Sequence, residues 1–141
     1  MKTLTATLYF IVLSTTLWAH DGHDHDGPSS FQPKKGGVVK STEDINIETI
    51  TQKDRVNIYL FDNDGKKKTQ DSFEINAQIQ LPKQNKKETV KLKTILEEGK
   101  FCHFELEGHP KKVHRYTLHL TVKDKKENHT DKLSFTIEPT K

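Results

Sequence analysis

The sequence predicts an all-β fold of seven or eight short antiparallel strands, and three observations carry that expectation. Apolar residues recur with period two over short stretches. The plainest case is Phe73, Ile75, Ala77, Ile79 and Leu81 alternating with Glu74, Asn76, Gln78 and Gln80, which is the pattern of a half-buried strand. Turn-forming clusters such as Asp62-Asn63-Asp64-Gly65 separate these stretches at short intervals. The one cysteine, Cys102, excludes an internal disulfide and any zinc site built from several thiolates, so a hydrophobic core must hold the domain together. Strands at this spacing over roughly 100 residues fit a single immunoglobulin-like sandwich, with a small β-barrel as the alternative.

Each element follows from its own residues. Val38-Val39 and Ile45 to Ile47 supply one or two strands at the start of the domain. Val56, Ile58 and Leu60 alternate up to the turn at residues 62–65, where Asp64-Gly65 tolerates the positive φ that a tight turn requires. The long alternation from Phe73 to Leu81 follows. Val90 and Leu92 begin another strand, and residues 94–100 leave room for a short helical turn. Cys102, Phe104 and Leu106 form the inward face of the next strand. Tyr116, Leu118, Leu120 and Val122 form that of the one after, and Leu133, Phe135 and Ile137 that of the last.

The N-terminus sets the compartment. Lys2 precedes an apolar stretch that is densest at Leu8-Tyr9-Phe10-Ile11-Val12-Leu13, and Ala19 supplies a small residue for a cut. Residues 1–19 are the pattern of a secretory signal peptide, too short to span a membrane. The expected location is periplasmic or secreted, with no membrane insertion of the mature chain. Cleavage near Ala19 would leave 122 residues, enough for one domain. Residues 20–35 read as a flexible His/Asp-rich tail with too few apolar groups to order itself. Residues 36–141 are the β domain. The whole chain carries 23 basic and 20 acidic residues. That near balance, with lysines spread over expected turns, does not point to nucleic acid.

Chemistry concentrates at the start of the mature chain. His20, Asp21, His23, Asp24, His25 and Asp26 alternate imidazoles with carboxylates. Nitrogen and oxygen donors of this kind suit a divalent metal ion such as copper, zinc, nickel or cobalt. Binding displaces protons, so affinity should fall as histidine protonates near pH 6.5. A second, weaker candidate comes from strand alternation. His103 and His119 lie on the faces opposite Cys102-Phe104-Leu106 and Leu118-Leu120. If those two strands form a hairpin through residues 108–114, the register centred on the loop sets the two imidazoles directly opposite, about 4.5–5.5 Å apart at Cβ and close enough to share a metal, while a shift of two either way sets them on a diagonal. His109 and His114 could join them only if the loop folds back. Cys102 reads as a buried small hydrophobe on the core side. His129, in a polar turn, is assigned no role.

The order of the His/Asp/Gly-rich start, Gly36-Gly37-Val38-Val39, Asn46-Ile47-Glu48, and Val56-Asn57-Ile58-Tyr59-Leu60-Phe61-Asp62-Asn63-Asp64-Gly65-Lys66 resembles a group of small exported β domains. These accompany heavy-metal efflux systems or form the N-terminal extension of resistance-nodulation-division metal-pump adaptor subunits. The resemblance covers about residues 20–68. It implies a periplasmic accessory that binds or delivers metal, with a metal-efflux pump or its adaptor subunit as partner. Where that group often has a histidine before the paired glycines, this chain has Lys35, so the metal reading rests on the preceding run. Two other classes fit the sequence: an immunoglobulin-like protein-interaction module with no metal role, and, more remotely, a copper enzyme using His20 as an N-terminal chelate. No catalytic triad or carboxylate pair is legible, and the expectation is a protein that is not an enzyme.

Overall fold

The computed structural model describes residues 31–139. The leader, the cut near Ala19 and the donors His20, Asp21, His23, Asp24, His25 and Asp26 lie outside the described residues. Among the described residues nine strands form: β1 (Val38–Ser41), β2 (Asn46–Thr51), β3 (Arg55–Phe61), β4 (Phe73–Gln80), β5 (Lys87–Val90), β6 (Lys93–Glu97), β7 (Lys100–Glu107), β8 (Tyr116–Asp124) and β9 (Thr130–Ile137). They make two open antiparallel sheets, one ordered β1-β2-β3-β7-β6 and the other β5-β4-β8-β9. The fold is therefore an all-β sandwich and not a closed barrel. Its nine strands exceed the seven or eight expected because residues 93–97 are a strand, where a short helical turn had been allowed. Glu98 and Gly99, both at positive φ, then reverse the chain into β7.

The period-two residues meet between the sheets as expected. Ile45, Ile47, Val56, Ile58, Leu60, Phe104 and Leu106 come from the first sheet. They pack against Phe73, Ala77, Tyr116, Leu118, Leu120, Val122, Leu133, Phe135 and Ile137 of the second. Burying a large aliphatic or aromatic side chain of this kind stabilises a fold by about 1.5–3 kcal/mol. This layer outweighs any single polar contact in the molecule.

The outer face of the first sheet is also covered. Residues 31–35, assigned to the tail from sequence, are held to the domain. The Phe31 ring packs 5.4 Å from that of Phe61. Glu48, 0% exposed, accepts the backbone N–H groups of Lys34 (2.9 Å), Lys35 (2.8 Å) and Gly37 (2.8 Å). A buried carboxylate needs such donors, because burying an unpaired charge is expensive. Gly65, at φ +77°, lets the 62–65 turn come close to this segment. A Cβ there would sit 2.5 Å from Lys34 Nζ and 3.3 Å from the Phe31 ring.

Candidate metal centre

At one end of the sandwich the turns joining β1 to β2 and β8 to β9 converge from opposite sheets. Three donor side chains meet there: Asp44 from the first turn, His129 at the end of the second, and Asp131 from the start of β9. Their ligand atoms all lie within 4.8 Å of one another.

Local sequence fixes each of them. In the first turn, Thr42 N–H donates to the Ile45 carbonyl at 2.8 Å. The Thr42 hydroxyl oxygen accepts the N–H groups of Asp44 and Ile45 at 3.3 and 3.2 Å, a local bond that threonine forms readily in turns. Ile45 then enters the core at 0% exposure, and so anchors the residue beside Asp44. In the second turn, Asp124 Oδ1 accepts the N–H groups of Lys126 (2.6 Å) and Glu127 (3.1 Å). The N–H bonds, Glu127's first, hold the Asp124 carboxyl below the usual carboxylate range. Asn128 takes φ +55°, which asparagine tolerates better than most residues, and Asp124 N–H closes on the His129 carbonyl at 2.9 Å. Asp131 pairs with Val122 and continues the inward face of Leu133, Phe135 and Ile137 one step past the core.

Two short contacts hold the Asp131 carboxylate. His129 Nε2 lies 3.1 Å from Asp131 Oδ1, with side-chain exposures of 50% and 15%. Thr42 Oγ1 lies 3.2 Å from Asp131 Oδ2 and ties the first sheet to the second. One imidazole and two carboxylates suit zinc, copper(II), nickel or cobalt among divalent ions. With metal–ligand bonds of about 2.0–2.2 Å, neighbouring donors on one ion stand roughly 3–4 Å apart. The His129–Asp131 pair stands at such a separation, and all three donors lie within 4.8 Å of one another. The donor set therefore fits a divalent cation.

The histidine pair expected on a β7–β8 hairpin does not form. β7 pairs with β3 and β6, and β8 with β4 and β9, so the connecting loop crosses between sheets. His103 and His119 point from opposite outer faces of the sandwich, and packed sheets alone are about 10 Å apart. His119 has both nitrogens engaged, Nδ1 with Ser134 Oγ at 2.8 Å and Nε2 with Gln80 Oε1 at 2.9 Å. His109 also has both engaged, Nδ1 with the Tyr116 hydroxyl at 2.9 Å and Nε2 with the Gln52 carbonyl at 2.8 Å. Burial pushes the Tyr116 hydroxyl up to about 12, so it bonds as a neutral phenol.

His103 is buried at 7% exposure. Its ring stacks 4.8 Å from that of Tyr59, and its Nδ1 has no hydrogen-bond partner. Burial lowers its pKa. Cys102 does not face the core with Phe104 and Leu106 as expected. The β6–β7 register shifts so that Ile95 pairs with His103 but Leu96 pairs with Phe101. Cys102 is the extra residue of this β-bulge. It turns to the outer face beside Tyr59 and Phe61, and Phe101 takes the inward place, 4.9 Å from the Phe104 ring. Burial, and then the neighbouring Glu97 carboxylate, push the thiol pKa up, the opposite of what a reactive cysteine needs.

No protein-family model, no curated protein and no solved structure matches this chain. The reading of the centre therefore rests on its own chemistry. His129 was passed over in the sequence because its partners come from elsewhere. Asp131 is two residues away, but Asp44 arrives from a distant turn on the other sheet. The only local signal is the histidine and aspartate flanking Thr130 at the edge of a strand.

Proposed function

We propose that this chain is an exported accessory protein that binds a divalent metal ion, zinc, copper, nickel or cobalt, and buffers or delivers it. Asp44, His129 and Asp131 hold the ion on the folded domain. The observation that carries this reading is the convergence of one imidazole and two carboxylates, from opposite sheets, within 4.8 Å. Two carboxylates balance a divalent charge, and a neutral imidazole adds a donor that favours transition metals over calcium or magnesium.

The setting favours exchange over permanent storage. Three protein donors leave coordination positions open. The half-exposed His129 lets a ligand from an acceptor attach before this protein's donors let go. Delivery to a metal-efflux pump or its adaptor subunit fits that chemistry and the resemblance of residues 20–68. Export follows from the leader-like residues 1–19.

Calorimetric titration with zinc(II) tests the reading. The protein should bind zinc at micromolar concentration. Asp44→Asn and His129→Ala should each weaken it on the order of tenfold or more, as loss of a ligand costs at least what loss of a supporting group does. Unchanged binding in both variants would show that the three side chains form only a hydrogen-bonded clasp, as a protein-interaction module without metal would have.

A further inference from the structure

We propose that the end of the sandwich opposite the Asp44–His129–Asp131 centre carries a docking cleft for an acidic peptide segment of a partner protein, one with an apolar side chain among its carboxylates. The cleft stands apart from the metal reading and does not depend on it.

Two loops meet at that end. Residues 81–87 lead from β4 into β5, and residues 109–115 lead into β8. These two stretches hold Lys83, Lys86, Lys87, Lys111, Lys112 and Arg115 and not one carboxylate, in a chain with 20 acidic residues. Among the described residues, none of the six cations forms an ion pair. The acids of the first sheet near this end are already engaged: Asp54 and Glu105 with Arg55, and Glu107 with Lys93. The uncompensated charge is therefore local, although the whole chain is nearly balanced, and it favours an anionic partner.

The loops are held in shape. Leu81 and Val113 pack against the core. Gln84 N–H donates to the Leu81 carbonyl at 3.2 Å, and Gln80 Nε2 donates to the Gln84 carbonyl at 2.7 Å, which folds the first loop back toward β4. His109 is fixed between the Tyr116 hydroxyl and the Gln52 carbonyl. Lys83 and Lys112 both take φ +62°, a conformation that glycine or asparagine adopts at lower cost.

Two adjoining clefts lie between these loops. The larger, ≈ 600 Å³, is lined by polar groups that include Gln80, Asn85, Thr117 and Thr136. The smaller, ≈ 370 Å³, is bordered by Leu81, Pro82 and Val113 beside Lys112. Arg115 lines both and is exposed. A free guanidinium takes a carboxylate through two parallel N–H···O bonds. The apolar cleft next to it accommodates one apolar side chain. The amides and hydroxyls of the larger cleft suit a peptide backbone.

Other anionic partners fit less well. A single-stranded nucleic acid needs exposed aromatic rings to stack its bases, and the one aromatic lining the clefts, Tyr116, is 2% exposed. A membrane surface needs apolar side chains that insert. The exposed large apolar residues among the described residues, Val38 and Leu96, lie on the edge strands of the first sheet. Strand β8 runs from this end to the Asp124 turn, roughly 25 Å away. A partner seated here leaves the half-exposed His129 uncovered.

Fluorescence anisotropy of a labelled probe tests the cleft. The probe is a peptide of about ten residues, all aspartate and glutamate except one central leucine. It is titrated with metal-free protein at about 0.05 M salt. Arg115→Glu and Lys112→Glu alter the cleft. Lys132→Glu, on the exposed outer side of β9, is the control, and all three change the net charge equally. Unfolding midpoints confirm that each variant folds. The cleft predicts saturable binding, a loss on the order of tenfold in Arg115→Glu and Lys112→Glu, and little change in Lys132→Glu. A probe with serine for leucine should bind severalfold more weakly. Equal losses in all three variants, or equal affinity for the serine probe, would reduce this end to a general cationic surface and overturn the cleft. So would the absence of binding up to about 1 mM protein. Tighter capture of a single-stranded oligonucleotide, or of phosphatidylcholine vesicles with about one-third phosphatidylglycerol, lost in the same two variants, would overturn the peptide as occupant.

Discussion

Two buried polar residues on the outer face of the first sheet show how differently a fold treats such groups. Glu48 is fully satisfied by three backbone N–H groups. An amide in its place keeps one acceptor oxygen and turns an N–H₂ toward donors. Glu48→Gln should therefore cost about 1–3 kcal/mol in urea unfolding, with faster amide exchange at Lys35 and Gly37. His103 is the reverse case, a buried imidazole with Nδ1 unpaired and its pKa below the ordinary 6.5 because of burial. A proton then binds the unfolded chain better than the folded one. Its effect on stability is absent above about pH 6.5 and grows as the pH falls from there toward the lowered folded value, where the loss levels off. His103→Phe keeps the stack on Tyr59 and removes the orphan nitrogen. The variant should be at least as stable at pH 7 and should lose that part of the decline between pH 7 and 5, as followed by denaturant unfolding at each pH. Alternation in the sequence gave the correct outward face for His103. Its burial was not legible, because the cover comes from groups distant in sequence.

At the scale of the element, strands were legible wherever period two held, and misjudged where one residue broke it. Phe101, Phe104 and Leu106 face the core at spacings of three and then two, and the extra residue is Cys102 in the bulge. The adjacent apolar pair Phe101-Cys102 was the available sign. The β8–β9 turn shows how an element positions a ligand. Asp124 caps it through Lys126 and Glu127, and Asn128 turns the chain at positive φ. The Asp124 side chain bonds to none of the three donors in the centre, and its backbone N–H meets only the His129 carbonyl. Asp124→Ala should cost about 0.5–1.5 kcal/mol for the lost hydrogen bonds and should also weaken zinc binding by leaving His129 less well placed. Calorimetry alongside thermal unfolding separates the two effects, and unaltered zinc affinity would mean that the turn does not position the ligand.

For the whole molecule, the core was readable from sequence because each strand carries its own alternation. The assignment of strands to sheets was not. The 108–115 connection has the length of a hairpin loop yet crosses from one sheet to the other, and no periodicity records that choice. The same crossing separates His103 from His119 and leaves Asp44, His129 and Asp131 to meet at one end. An ion there would link the two sheets and stabilise the fold in proportion to its free concentration over its dissociation constant. The most direct measurement is an amide NMR spectrum with substoichiometric copper(II), whose unpaired electron broadens nearby signals. The account predicts that broadening begins at residues 42–45 and 128–132 and spares the outer faces around His103 and His119. Sharp signals at the 42–45 and 128–132 turns, with broadening centred elsewhere on the domain, would contradict it.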